Sequence, residues 1–250
     1  MKLIALDSSG LVASAAVLAD GQLLAEYTVN YKKTHSQTLL PMLDELANMI
    51  ELDAKSVDAI AVAAGPGSFT GLRIGSATAK GLGLALQKPI VEVPTLAGLA
   101  FNLFGAKGLI CPIMDARRQQ VYSGIYRFEA GELITVRDQA PVAVEDLLAE
   151  IAALPAEETA EGVIFLGDGV EAYKDIIEEG WQAEKLAGIP LLFAPPHVSR
   201  QRAASVGALG ERLYAQGLAV PAAEHVPIYL RKSQAEQEAE KKAAKKEGSA

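Results

Sequence analysis

The sequence predicts an α/β protein of two lobes built on one duplicated pattern, each lobe a mixed sheet flanked by helices. Three observations carry this. The 250 residues suffice for two lobes of about 110 residues each. Half of the residues are apolar and 22% are charged, a globular rather than a disordered composition. The order strand–strand–strand–helix–strand–helix can be read twice. Each time an aspartate closes the first strand, Asp7 and then Asp115, and a glycine loop closes the fourth, Gly65-Pro66-Gly67 and then Gly167-Asp168-Gly169.

In chain order, "KLIALD" is a short apolar strand, "LVASAAVLA" a second and "LLAEYTVNY" a third, with "DGQ" as the hairpin turn between the last two. "THSQTLLPMLDELANMI" places Leu39, Leu43, Leu46 and Ile50 on one helical face, with Met42 and Met49 beside it. Thr34 and Ser36 are its candidate N-caps, and Pro41 is read as falling near the first turn, where proline is tolerated. "VDAIAVAAGPG" is a continuous apolar run, as in a strand covered on both faces. A helix follows from about Thr70 to Leu86, then the strand "PIVEVP" and the helix "TLAGLAFNLF". The second half repeats the order with "GLICPIMD", the hairpin "QVYSGIYRF"/"LITVRDQ", "VEDLLAEIAAL", "GVIFLGDG" and "VEAYKDIIEE". Residues 198–218 read as one more helix, crossing back toward the first lobe, and "VPIYLR" as a final extended piece. The expected organisation is a first lobe over residues 1–105 with a returning segment at 198–231, a second lobe over 106–197, and a charged, solvated tail over 232–250.

The net charge of -8 argues against a main grip on RNA, which needs a basic face to neutralise phosphates. Cys111 is the one cysteine, so no intrachain disulfide forms, and a packed small hydrophobe is the expected role. The opening "MKLIAL" resembles a signal peptide, but Asp7 cuts the apolar run short. No run approaches the length of a membrane span. A cytoplasmic protein is expected.

The stretch "GPGSFTGLRIGSATAKGLGLAL" poses the functional question. It is not a P-loop, because Leu72 and Arg73 follow Gly71 where lysine and a hydroxyl residue are required. Gly65, Gly67 and Gly71, with Glu92 further on, approach a dinucleotide fingerprint, but the spacing is one residue too long and the opening meander is wrong for that fold. Gly71, Gly75, Ala79 and Gly83 recur every four residues and so share one helix face. Each glycine costs a helix up to about 1 kcal/mol relative to alanine, so close approach of another backbone is the expected compensation. Two readings stay open: packing within the lobe, or a docking face for another subunit shared with Leu39, Met42, Leu43, Leu46 and Ile50, as in a four-helix bundle.

Asp7-Ser8-Ser9 and Asp115, with Gly167-Asp168-Gly169, are candidates to line a cleft for a nucleotide, ATP or ADP; turn formation alone is the competing reading. Arg117 and Arg118 stand in the second lobe's turn, as an anion contact or as solvated turn residues. His35, His197 and His225 are not paired at ligand spacing, so no metal site is assigned. No serine elbow or nucleophile–base pair supports a peptidase.

At "GPGSFTGLRIG", together with "LDSS", "THSQTLLPML", "DARRQQVY", "GDG" and "PIYLR", the chain resembles the bacterial TsaB (YeaZ) family, from Met1 to about Lys232. The resemblance implies the actin/Hsp70/sugar-kinase (ribonuclease H-like) fold and a role in making N6-threonylcarbamoyladenosine beside the tRNA anticodon. It implies a non-catalytic subunit of a TsaD-like transferase, joined by a TsaE-like ATPase, that contacts its partner through the first two helices. It further implies a homodimer when alone, contact with tRNA only through the complex, and no required cofactor. TsaD holds a metal by a His-x-x-x-His pair; here the matching helix offers His35 and Leu39, so the second ligand is missing. The alternative is an active ATPase or small-molecule kinase of the same superfamily using Asp7 and Asp115.

Overall fold

The computed structural model describes residues 1–31, 34–117, 119–183 and 186–231. Arg118 and the charged tail from Lys232 lie outside them. The first half contains β1 (Lys2–Asp7), β2 (Ala13–Ala19), β3 (Gln22–Val29), α1 (His35–Met49), β4 (Ala59–Gly65), α2 (Phe69–Leu86), β5 (Ile90–Pro94) and α3 (Thr95–Ala100). The second contains β6 (Leu109–Asp115), β7 (Gln120–Glu129), β8 (Glu132–Ala143), α4 (Val144–Ala152), the single turn α5 (Ala156–Thr159), β9 (Val163–Leu166), α6 (Gly169–Ala183) and β10 (Leu191–Phe193). The chain then forms α7 (Ala203–Ala215) and β11 (Ala219–Val220).

The duplication holds at the level of topology. The first sheet runs β11-β5-β4-β1-β2-β3 and the second β10-β9-β6-β7-β8. In each, the meander pairs antiparallel while the next two strands add parallel to its first strand. β1 and β4 carry continuous apolar runs because both of their faces are covered. α1 and α2 cover one face of the first sheet, where Leu39, Leu43, Leu46 and Ala79 meet Ile4, Val17 and Ile60. α3 and α7 cover the other. On the second sheet, α4 and α6 pack over Ile113, Val121 and Phe165.

One apolar core joins the lobes. It combines Leu3, Ala5 and Val93 of the first sheet with Ile110, Met114, Tyr126 and Leu166 of the second, around α3. Every residue of α3 is buried, which its small and aliphatic sequence TLAGLA permits. Complete burial of Leu96 and Leu99 contributes about 1.5–3 kcal/mol each.

Two helix boundaries differ from expectation. α1 begins at His35, so Pro41 lies in its second turn, inside the helix. Pro41 and Gln37, the residue whose carbonyl it leaves without a helical donor, are both exposed, and water can serve that carbonyl. α7 begins at Ala203 rather than near 198. The Ala203 N–H donates to Ser14 Oγ at 2.8 Å and the Ala204 N–H to Glu26 Oε1 at 3.0 Å, while Arg202 pairs with Glu26. Side chains of β2 and β3 thus supply the N-terminal cap, a tertiary arrangement with no local signature.

Candidate functional site: the cleft between the lobes

The ends of β1 and β6 meet across a cleft of about 820 Å³. The same local device shapes both ends. The Ser9 N–H donates to Asp7 Oδ1 at 2.9 Å, and the Arg117 N–H donates to Asp115 Oδ1 at 2.8 Å. Each aspartate therefore closes its own turn two residues on. Gly65 and Gly167 match as well, at φ +132° and +105°. A Cβ on Gly65 would come within 2.1 Å of the Ile228 carbonyl oxygen, and one on Gly167 within 2.1 Å of that of Ile113. Glycine is required at both for conformation and for space.

The candidate nucleotide residues divide. Ser9, Asp115 and Asp168 line the cleft. Asp7 is sealed beneath the turn, and Ser9 Oγ donates to its carboxylate at 2.7 Å. Burial pushes the Asp7 carboxyl up to about 6, against the two Ser9 hydrogen bonds and His35. Ser8 turns away, its hydroxyl donating to the Gly71 carbonyl at 2.9 Å. Gly167 and Gly169 pack on the Ile113 backbone and shape the floor without lining it. The expectation that Asp7 and Ser8 face a ligand is therefore corrected: the tight β1–β2 turn buries Asp7 beneath Ser9 and folds Ser8 onto α2.

The lining also includes groups to which sequence reading gave no part in the cleft. His35 Nε2 donates to the Gly10 carbonyl at 2.8 Å. Arg200 pairs with Glu171 at 2.7 Å. Arg117, already noted in its turn, pairs with Asp115 at 3.3 Å. Asp115 also accepts from the Tyr173 hydroxyl at 3.3 Å. Burial raises the Asp168 carboxyl, with Arg200 opposing, and Asp168 Oδ1 has no partner among the described residues. His35 Nδ1 and both amide atoms of the buried Gln201 are likewise unpaired among the described residues. The first turns of α1, α2 and α6 all border the cleft, so their free N–H groups give it a field that favours anionic groups. None of these roles follows from local sequence, because each depends on bringing distant turns together.

The small-residue face of α2 also has its answer. Gly71, Gly75, Ala79 and Gly83 are all buried by their own lobe. A Cβ on Gly71 would meet the Ser8 carbonyl oxygen at 2.1 Å, one on Gly75 the Ser8 hydroxyl at 2.5 Å, and one on Gly83 the Ala222 Cβ at 2.7 Å. Leu39, Met42, Leu43 and Leu46 are buried too, and Ile50 packs half-buried against the same core. The docking face expected there is corrected: these residues let the β1–β2 turn and the chain around Ala222 approach α2. The helices' outer faces present Leu40 and Met49 on α1, and Arg73, Ala77, Gly81, Leu84 and Ala85 on α2. Glu92 does not face a ribose; it pairs with His225 at 2.6 Å.

The family model for TsaD, tRNA N6-adenosine threonylcarbamoyltransferase, matches residues 22–239. The TsaB protein of Bacillus subtilis is 35% identical, over 94% of this chain and 96% of its own length. That of Escherichia coli is 26% identical, over 92% and 95%. The chain belongs to the TsaB (YeaZ) family. The crystal structure of YeaZ from Pseudomonas aeruginosa superposes with a TM-score of 0.76 at 29% identity, over 92% of this chain and 99% of that one. The fold is accordingly shared with YeaZ: a duplicated two-lobe architecture, each lobe a mixed sheet flanked by helices. Four of the segments that carry the TsaB resemblance meet in this geometry: "LDSS" forms the inward turn, "GPGSFTGLRIG" the loop and helix beneath it, Asp115 to Arg117 the start of the matching turn, and "PIYLR" the chain crossing Gly65. No helix among the described residues is long and apolar enough to cross a membrane.

Proposed function

We propose that this chain serves in the biosynthesis of N6-threonylcarbamoyladenosine on tRNA as a non-catalytic subunit. It docks and activates a TsaD-like transferase, is joined by a TsaE-like ATPase, self-associates when alone, and meets tRNA only through the complex. It works in the cytoplasm, and its docking role requires no cofactor. A nucleotide phosphate, ATP or ADP, entering the cleft would meet Ser9 and the first turns of α2 and α6.

The observation that carries this reading is the pairing of family membership with an α1 that has no use for a metal ligand set. His35 is committed to the Gly10 carbonyl, and Leu39, one turn on, is buried in the core. The partner's surface is the outer, not the inner, face of α1 and α2. Leu40, Met49 and Leu84 are more than half exposed there. A Cβ placed on Gly81 would have nothing within 4 Å, which leaves room for a second helix. The ATPase alternative is weakened by the burial of Asp7, which removes one of the two carboxylates it needs.

Mass spectrometry of tRNA nucleosides after depletion tests the proposal. The threonylcarbamoyl base is expected to fall and to return on complementation; an unchanged level overturns the assignment.

A further inference from the structure

Residues 221–231 form an extended strap that the proposed role leaves unused. The strap runs antiparallel along α2. Ala222 lies against Gly83, Lys80 Nζ donates to the His225 carbonyl at 3.2 Å, and Tyr229 stacks on Phe69 with ring centroids 4.6 Å apart. Arg73 Nε donates to the Tyr229 hydroxyl at 3.2 Å. The strap is also fixed to the first sheet: His225 is buried with Nδ1 at 2.6 Å from Glu92, and the Ile228 N–H donates to the Ala64 carbonyl at 2.7 Å. It then borders the cleft through Ile228, Tyr229, Leu230 and Arg231. At its end it reaches the second lobe, where Arg231 Nη1 donates to the Ala116 carbonyl at 2.7 Å and the guanidinium lies 5.9 Å from the Tyr122 ring centroid.

The two ends are unequal. Among the described residues, the first-lobe end is held by buried groups and several hydrogen bonds, the second-lobe end by one hydrogen bond and one cation–π contact. An opening excursion starts where the fewest buried contacts must break. We propose that the strap is a clasp: it fixes the separation of the lobes across the cleft, and release at Arg231 lets the cleft widen. This does not depend on the docking role.

The test uses the full chain with nitroxide labels at Gln37→Cys on α1 and Asp175→Cys on α6, both exposed positions, diluted with unlabelled protein. Cys111 is buried, with its thiol pushed up to about 12, and does not take the label. Double electron–electron resonance is expected to give one narrow distance for the parent and a broader, shifted distribution for Arg231→Ala. A chain ending at Val226 should show the change more strongly, and one ending at Lys232 should match the parent. An unchanged distribution in folded Arg231→Ala overturns the clasp, as does equal broadening in the chain ending at Lys232. Should the Val226 truncation fail to fold, Arg231→Ala alone decides.

Discussion

Asp7 and Gly75 meet around the same turn and fail in different ways when changed. The Asp7 carboxyl is raised from 3.8 to about 6, so the folded chain keeps a proton that the unfolded chain loses first. Stability is therefore full below pH 4 as far as this group is concerned, and declines as pH rises through about 6, by on the order of 3 kcal/mol. Asp7→Asn keeps an oxygen for Ser9 but cannot ionise. Its thermal midpoint, measured from pH 4 to 7, is expected to lack that decline; a slope equal to the parent's would refute the assignment. At Gly75, a first side-chain carbon already lies 2.5 Å from Ser8 Oγ and 3.7 Å from Val62. Gly75→Leu overpacks this seam, and a loss of at least about 1–3 kcal/mol is expected from denaturant titration of the isolated chain. An unaffected midpoint would mean that the face is open after all.

At the scale of the element, α2 has two small-residue faces, and only the fold distinguishes them. One is occupied by the β1–β2 turn and Ala222; the other, through Ala77, Gly81 and Ala85, is exposed. Gly81→Arg adds a side chain into open space and replaces a poor helix former, so the isolated chain should be as stable as the parent or gain up to about 1 kcal/mol. The same variant is expected to lose binding to the transferase partner in a co-purification assay. Retained binding would move the interface off α2.

The whole molecule is tied through one core. α3 and the residues around it bury apolar surface of both sheets together, and Arg212 Nη1 of α7 reaches the Gly131 carbonyl in the β7–β8 hairpin at 2.6 Å. Neither lobe can lose its half of that core without exposing the other's. Calorimetry should show one unfolding transition whose measured enthalpy equals the van't Hoff value. Two resolved transitions would show that the lobes are separable.

The order of elements, the duplication and the buried strands were legible because period, turn residues and apolar runs are local properties. The paired aspartate turns and glycine loops were legible for the same reason. Which way a helix face points is not local. Gly71, Gly75, Ala79 and Gly83 announce close approach in any setting, but whether the approaching backbone belongs to the same lobe or to another chain depends on where residues 8 and 222 end up. The sequence alone therefore determined the architecture and the family, through patterns that each segment carries by itself. Only the tertiary structure decided that the glycine face is core, that Asp7 lies behind the cleft, and that the strap at 221–231 bridges the lobes, because each of these depends on contacts between residues far apart in the chain.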